Sequence, residues 1–372
     1  MDITYKLPHP VRICSSEHME MELTQQDKMF DEILGDIDLE NYSVDYLASL
    51  ALSNAPQLKE YYKEQGLSEH NIGIAVGSIL IPYKFRRLKG NILTTSNEID
   101  GMLEETDIGD DIPIAYLRPP FKNCYIEFTE DRTSPISVFN IESGEHILEG
   151  VYMSEVEILP NTPQMKLYEN SANFKRFIDF NKPLRIIDMM FTGSPIGKKS
   201  VTDDALRMQG FYVQDDKTTV NDELKSIVAD YGSDDDFAND INYLEQALSH
   251  MAKVLLFVNC KQYRDTAFNE RKELMKKVCS LKSPSKIKKY NKKLRRTYDR
   301  LIIKPEDHIV YEKSNNREHS SGHQSKKAHW RKGHFRMQPY GEGASKRKVI
   351  YIEPTVVGGV FAEKKPYSVR TK

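Results

Sequence analysis

The sequence has no apolar run near the ~20 residues a bilayer-spanning helix needs, so a helical membrane span is excluded. Its first residues, MDITYKLPHPVRICSSEHMEMEL, lack the apolar core of a secretory leader, and no signal peptide is expected. Cysteine is scarce: Cys14, Cys124, Cys260 and Cys279 lie far apart and form no CxxC pair. That argues against a disulfide framework and suits a reducing cytoplasm. No flexible Gly/Ser linker and no internal repeat interrupts the chain, so its segments are expected to pack as one composite unit.

Cofactor fingerprints are missing too. GSPIGKKS (193–200) imitates a phosphate loop, but Thr192 stands where the first glycine belongs and Lys199 intervenes before Ser200. A turn between strands is the simpler reading. SDDDFAND (233–240) clusters carboxylates without the central glycine and terminal glutamate of a calcium loop. Acids there suit the positive end of a helix dipole. His308, His319, His323, His329 and His334 crowd one stretch, yet no thiolate lies close by. Neither a metal nor a cofactor is expected.

What the chain does hold is apolar material and segregated charge. Of its 372 residues, 39% are hydrophobic and 10% aromatic, enough for a core. The net charge of −2 conceals an uneven distribution. Residues 251–372 carry 31 Lys and Arg against 11 Asp and Glu, a net of +20. The rest carries 22 against 44, a net of −22. An acidic body joined to a basic end points to a polyanionic partner. The alternative is mutual neutralisation, with the basic end packed on the acidic body.

The pattern along the chain predicts an α+β fold. Residues 1–111 read as a helical N-terminal region. Leu23, Met29, Phe30, Ile33 and Leu34 keep helical spacing with Thr24 as cap; Ser43 caps a second helix, Pro56 breaks it and Gly66 stops it. A third helix is expected to end near Pro82, and the acidic stretch 96–111 to be exposed. Residues 112–218 form a central β-rich region, a mainly antiparallel sheet of short β-branched and aromatic runs. Residues 219–304 return to helix with a basic end: Leu244, Leu248, Met251, Leu255 and Val258 make an apolar stripe. In KSPSKIKKYNKKLRRTYDRLIIK (282–304), Ile287, Tyr290 and Leu294 keep helical spacing among basic residues. Residues 305–372 form a basic C-terminal β region: HIVYEK (308–313) reads as a strand, NNREHSSGHQSKK as a loop, and the remainder as a β-hairpin around YGEGASK.

HWRKGHFR (329–336) carries the most chemistry. On an extended chain His329 and Arg331 share one face and Trp330, the sole tryptophan, takes the other. Gly333 permits a kink, after which His334 and Arg336 again share a face. Arginine binds phosphate bidentately, histidine donates to it or shuttles protons, and aromatic faces stack on unpaired bases. Alternatively Trp330 and Phe335 are core residues of an amphipathic strand. The expected RNA-binding residues are Lys288, Lys289, Lys292, Lys293, Arg295, Arg296, His329, Trp330, Arg331, Lys332, His334 and Arg336.

The ending HWRKGHFRMQPYGEG…KRKVIYIEPTVVGG resembles the C-terminus of a phage and mobile-element family whose best-known member is an anti-CRISPR against the type V-A Cas effector nuclease. His329, Arg331, Gly333, His334, Phe335, Pro354, Val356 and Val357 match its pattern, while Lys332 replaces a usual arginine. LRPPFKNCYIEF (117–128) and LEGVYMSEVEI (148–158) echo it in the same order; the first ~100 residues match nothing. The resemblance implies suppression of a host protein's production by recognising its nascent polypeptide and promoting loss of the translating mRNA. Expected partners are therefore RNA, messenger or ribosomal, and a host protein or nascent polypeptide, with no membrane, in the cytoplasm of a bacterial host cell. The basic half would face RNA and the acidic half the peptide. Two other readings stand beside it. One is a ribonuclease using His329 and His334 as base and acid, with Arg331, Lys332 and Arg336 stabilising the phosphate. The other is a structural or virion protein.

Overall fold

The computed structural model describes residues 7–14, 17–128, 136–140, 144–170, 178–195, 205–214, 217–231, 238–261, 263–305, 329–353 and 355–357. The fold is α+β, with a helical N-terminal part. A short α1 (His9–Arg12) precedes α2 (Glu17–Leu34), α3 (Val44–Asn54), α4 (Pro56–Glu64) and α5 (Glu69–Leu88). Ser43 caps α3 by accepting the Tyr46 amide, Pro56 opens α4, and Gly66 takes a positive φ just beyond it.

Three expectations fail here. Thr24 does not cap α2: it lies inside that helix and its hydroxyl donates to the Glu20 carbonyl. Pro82 does not end α5, which runs on to Leu88. The proline removes one backbone hydrogen bond, but the turn after it buries Tyr83, Lys84 and Phe85. The acidic stretch 96–111 is not simply exposed. It forms α6 (Asn97–Glu104), where Ile99, Met102 and Leu103 are buried at helical spacing while Glu98 and Glu105 face water. An acid count hides that apolar stripe.

The main sheet has eight strands. β1 (Asn91–Thr95) lies in its interior, and β2 (Thr106–Ile108) belongs elsewhere. β3 (Asn123–Glu127), β4 (Ser137–Asn140), β5 (Gly144–Ile158), β6 (Leu184–Pro195) and β7 (Ala205–Val213) follow, then β8 (Tyr263–Phe268) and β9 (Arg300–Pro305). The order is β7-β6-β5-β3-β1-β9-β8, with β4 paired on β5. Pairing is antiparallel except that β1 runs parallel to both β3 and β9. One sheet thus takes strands from residues 91–95, 123–213 and 263–305. β1, β8 and β9 were not foreseen: the first is five residues in a helical context, and LIIK is masked by the lysines around it. GSPIGKKS opens in the last three residues of β6, and its residues 196–200 lie outside the described part; HIVYEK, NNREHSSGHQSKK, His308, His319 and His323 are outside it too.

Alternation along the strands gives the sheet two apolar faces. Tyr125, Tyr152 and Met190 pack with Phe30, Leu47, Val76 and Leu80 of the N-terminal helices. Their sequence neighbours Cys124, Ile126, Val151, Met153, Met189 and Phe191 face the other way. There they meet α8 (Val220–Tyr231) and α9 (Ala238–Cys260), whose predicted stripe of Leu244, Leu248, Met251, Leu255 and Val258 is buried. The result is helix, sheet, helix. α7 (Pro163–Glu169) closes one end through a small cluster around Met165 and Tyr168.

A polar network pins the first helical layer. The buried Lys84 ammonium donates to the Tyr42 carbonyl at 2.6 Å, and Asp188 accepts the Val44 amide at 2.9 Å. Gln164 accepts the Ser43 amide at 2.9 Å, and the Tyr168 hydroxyl donates to Ser43 at 2.9 Å. Burial pushes the Asp188 carboxyl up, reinforced by Asp45; burial pushes the Lys84 ammonium down, opposed by Asp188. Among the described residues no helix is long and apolar enough to cross a membrane.

Candidate nucleic-acid interface

The basic helix of the sequence is one half of a helical arm. α10 (Glu270–Ser280) and α11 (Pro284–Arg295) are inserted between the paired strands β8 and β9. Asp299 closes the base of the arm by accepting the amides of Arg271 and Lys272 at 3.0 and 3.3 Å. Arg271 spans it, donating to the carbonyl of Thr297 at 3.2 Å. The seam is thin: Leu274 is buried, and Val278, Ile287, Tyr290 and Leu294 are half-buried.

The six cations assigned to this helix divide into two groups. Lys292 pairs with Glu17 at 3.1 Å, and Arg296 pairs with Glu20, both on α2. The Lys292 hydrogen bond holds the exposed Glu17 carboxyl below its ordinary range. These two cations meet the acidic half of the chain, as mutual neutralisation would have it, and so does Arg300, 3.1 Å from Glu127. Lys288, Lys289, Lys293 and Arg295 are different. They are exposed, and no carboxylate among the described residues lies within ion-pair distance.

The second basic element is the expected C-terminal hairpin. β10 (His329–Arg331) precedes β11 (Gly333–Tyr340), which pairs antiparallel with β12 (Lys346–Ile352) across the predicted turn. β13 (Thr355–Val357) returns along β10, and β2 joins β11 as a parallel third strand, setting His334 beside Asp107. Gly333 is buried at the kink after Lys332. Phe335 is fully buried against Tyr351, ring centroids 5.1 Å apart. It is a core residue and has no face to offer a base. The backbone of His329 and Trp330 is strand, while their side chains fall outside the described part.

The outer face of the hairpin holds the half-buried His334 and the exposed Arg336. Arg331 stands 3.3 Å from the His334 ring, and Lys332 is 4.0 Å from Asp107. Arg336 donates to Gln338 at 2.9 Å. Sequence reasoning missed Tyr340, Lys346 and Lys348, which continue this face; the Lys348 ammonium sits 5.7 Å from the centre of the Tyr340 ring. Alternation along RKVIYI would have found them. The two basic elements do not form one surface through the residues that anchor them. The arm is tied to α2 on one side of the sheet, and the hairpin packs on α9 on the other.

Sequence reasoning also missed a cavity of about 780 Å³ between α6, α8 and α9. Ile136, Leu224 and Val228 give it apolar walls, with Glu245 and Lys253 alongside. His250 also lines it, 3.6 Å from Asp100, which in turn accepts the Thr95 hydroxyl at 2.7 Å. Burial lowers the Lys253 ammonium's affinity for its proton.

Comparison with known families returns a match over most of the chain. The profile described as "AcrVA2-like: Anti-CRISPR type V subtype A2 family" matches residues 94–359, well over half of the chain. The matched span starts within β1 and takes in the rest of the sheet, the arm and the hairpin, leaving the N-terminal helices α1–α5 outside it. A search of curated proteins gave no match.

Proposed function

The chain belongs to the AcrVA2-like anti-CRISPR type V subtype A2 family, and we propose that it is a phage or mobile-element regulator that lowers expression of a host protein by binding both RNA and that protein, in the cytoplasm of the bacterial host. The RNA half of this reading is supported by one observation above all. After internal pairing, the final third still presents exposed lysines and arginines on the arm (Lys288, Lys289, Lys293, Arg295) and on the hairpin (Arg331, Arg336, Lys346, Lys348). Cations with no carboxylate partner among the described residues, on a near-neutral protein, favour a phosphate polymer. The host-protein half is supported by the cavity between α6, α8 and α9. Its apolar walls and charges of both signs suit a short peptide segment of the target, in extended or nascent form.

The test has two arms. Purified protein should bind RNA at about 50 mM salt and lose affinity steeply as salt rises, because phosphate neutralisation releases counterions. Pull-down from host cells should recover one messenger together with the protein it encodes. No RNA affinity at low salt, or recovery of protein without its messenger, would reject the reading. A ribonuclease reading needs two imidazoles about one phosphate; the structure describes the His334 ring alone of the pair.

A further inference from the structure

We propose that the phosphate-binding element of the arm is a lysine cluster shared by its two helices, Lys277 of α10 with Lys289 and Lys293 of α11 around Tyr290 and Lys286 on the same flank, binding the phosphodiester backbone of single-stranded RNA. This rests on the RNA-binding reading above and narrows it to one flank of one element.

Helical geometry makes the cluster. Residues 286, 289 and 293 follow i, i+3, i+7 spacing and so line one flank of α11 over a rise of roughly 10 Å. The seam residues Ile287, Tyr290 and Leu294 face α10, and Lys292 and Arg296 face α2. The flank between those two contacts is left to water. Tyr290 sits at the border of seam and flank, and Lys277 crosses from the other helix to lie 4.9 Å above its ring. The Lys277 hydrogen bond and then its charge draw the exposed Tyr290 phenol below its ordinary range, with Lys289 and Lys293 acting in the same direction. Three ammonium groups from two helices thus converge on one phenol.

No carboxylate among the described residues pairs with Lys277, Lys286, Lys289 or Lys293. Four like charges held together at a cost in mutual repulsion favour an anion that bridges them. Lysine is a point charge on a flexible stem, so the cluster reads backbone rather than sequence. A strand is favoured over an isolated phosphate because the row is long enough for successive phosphates. Tyr290 adds a hydroxyl able to donate to a phosphate oxygen and a partly exposed ring edge.

The test uses the full chain and a short fluorescein-labelled RNA of mixed sequence, titrated across a salt series. The triple variant Lys277→Gln, Lys289→Gln, Lys293→Gln should lower the slope of log affinity against log salt by about 2, given ~0.7 per phosphate contact on single strands. Lys292→Gln, a cation already engaged by Glu17, serves as the control and should leave the slope close to wild type. Differential lysine acetylation of the wild-type protein, with and without RNA, gives a readout independent of the variant's folding. Lys277, Lys286, Lys289 and Lys293 should be protected and Lys272 should not. If RNA binds with an unchanged slope in the triple variant and no protection of these lysines, the cluster is not the site, though the protein still binds RNA. If wild-type protein binds no RNA at low salt, the broader reading falls with it. Binding to phosphatidylserine vesicles in place of RNA would overturn the proposal in favour of a membrane surface.

Discussion

Tyr351 of β12 stands edge-on to Phe257 of α9, their ring centroids 5.4 Å apart and their planes at 87°. Phe335 packs on the other side of Tyr351, and the Tyr351 hydroxyl lies 3.2 Å from Thr106. The basic hairpin is therefore held to the body by ring packing and a hydroxyl pair as well as by the pairing of β11 with β2.

Truncating the ring at the end of that stack should loosen the hairpin. Phe335→Ala is expected to cost about 3–5 kcal/mol, the range for emptying a buried aromatic site. Urea unfolding followed by circular dichroism gives the number, and proteolysis within 329–353 should speed up. A loss below about 1 kcal/mol would mean that the ring is not the anchor.

Glu20 and Glu17 hold two cations that would otherwise face solvent. Glu20→Gln should free Arg296, strengthen RNA binding and steepen the salt slope by up to ~0.7, the increment for one single-strand phosphate contact. Stability should change by no more than about 1 kcal/mol, since the pair is partly solvated. Fluorescence anisotropy across a salt series, paired with a thermal melt, checks both. Weaker RNA binding in a folded variant would mean that Glu20 orients Arg296 toward RNA.

The sequence made the second helix of the arm and the hairpin legible because their apolar residues keep a clean period: Ile287, Tyr290 and Leu294 in one, the alternation through GHFRMQPY and KRKVIYI in the other. It did not reveal which cations are free. Lys292 and Lys293 are adjacent and chemically identical, yet one meets Glu17 and the other meets water. That difference comes from α2, some 270 residues earlier in the chain. β1 was hidden for a related reason. NILTT carries no strand signal beyond five residues, and its two parallel partners supply the pairing that makes it an interior strand of the sheet.

The Lys84 and Asp188 network should fail when one member is removed. Asp188→Ala is expected to cost about 1–3 kcal/mol by leaving the buried Val44 amide without its acceptor. The pH dependence has a definite sign. Burial raises the Asp188 carboxyl to about 7 in the folded chain, above its ordinary value near ~3.9. The folded state then keeps a proton that the unfolded chain releases, so this contribution is complete below about pH 4 and is lost as pH rises through the folded value. Asp188→Asn should flatten that part of the profile of melting temperature against pH. An unaltered profile in the variant would assign the dependence to other groups.

RNA incubated with the purified protein is expected to stay full length, with His334→Ala indistinguishable from wild type on a denaturing gel. Loss of the message would then depend on recruited host machinery. Cleavage by wild type that vanishes in His334→Ala would establish intrinsic nuclease chemistry and reassign the outer face of the hairpin.

β9 pairs with β1 along Ile92 to Thr95, joining stretches of chain separated by some two hundred residues. During synthesis the six strands of the main sheet from β1 to β7 leave the ribosome first and can assemble without their last neighbours. The arm is fixed only once Pro305 has cleared the exit tunnel and β9 has docked beside β1. Its lysines are thus the late arrivals of biosynthesis: a half-made chain has its helical layer and most of its sheet, but no anchored arm.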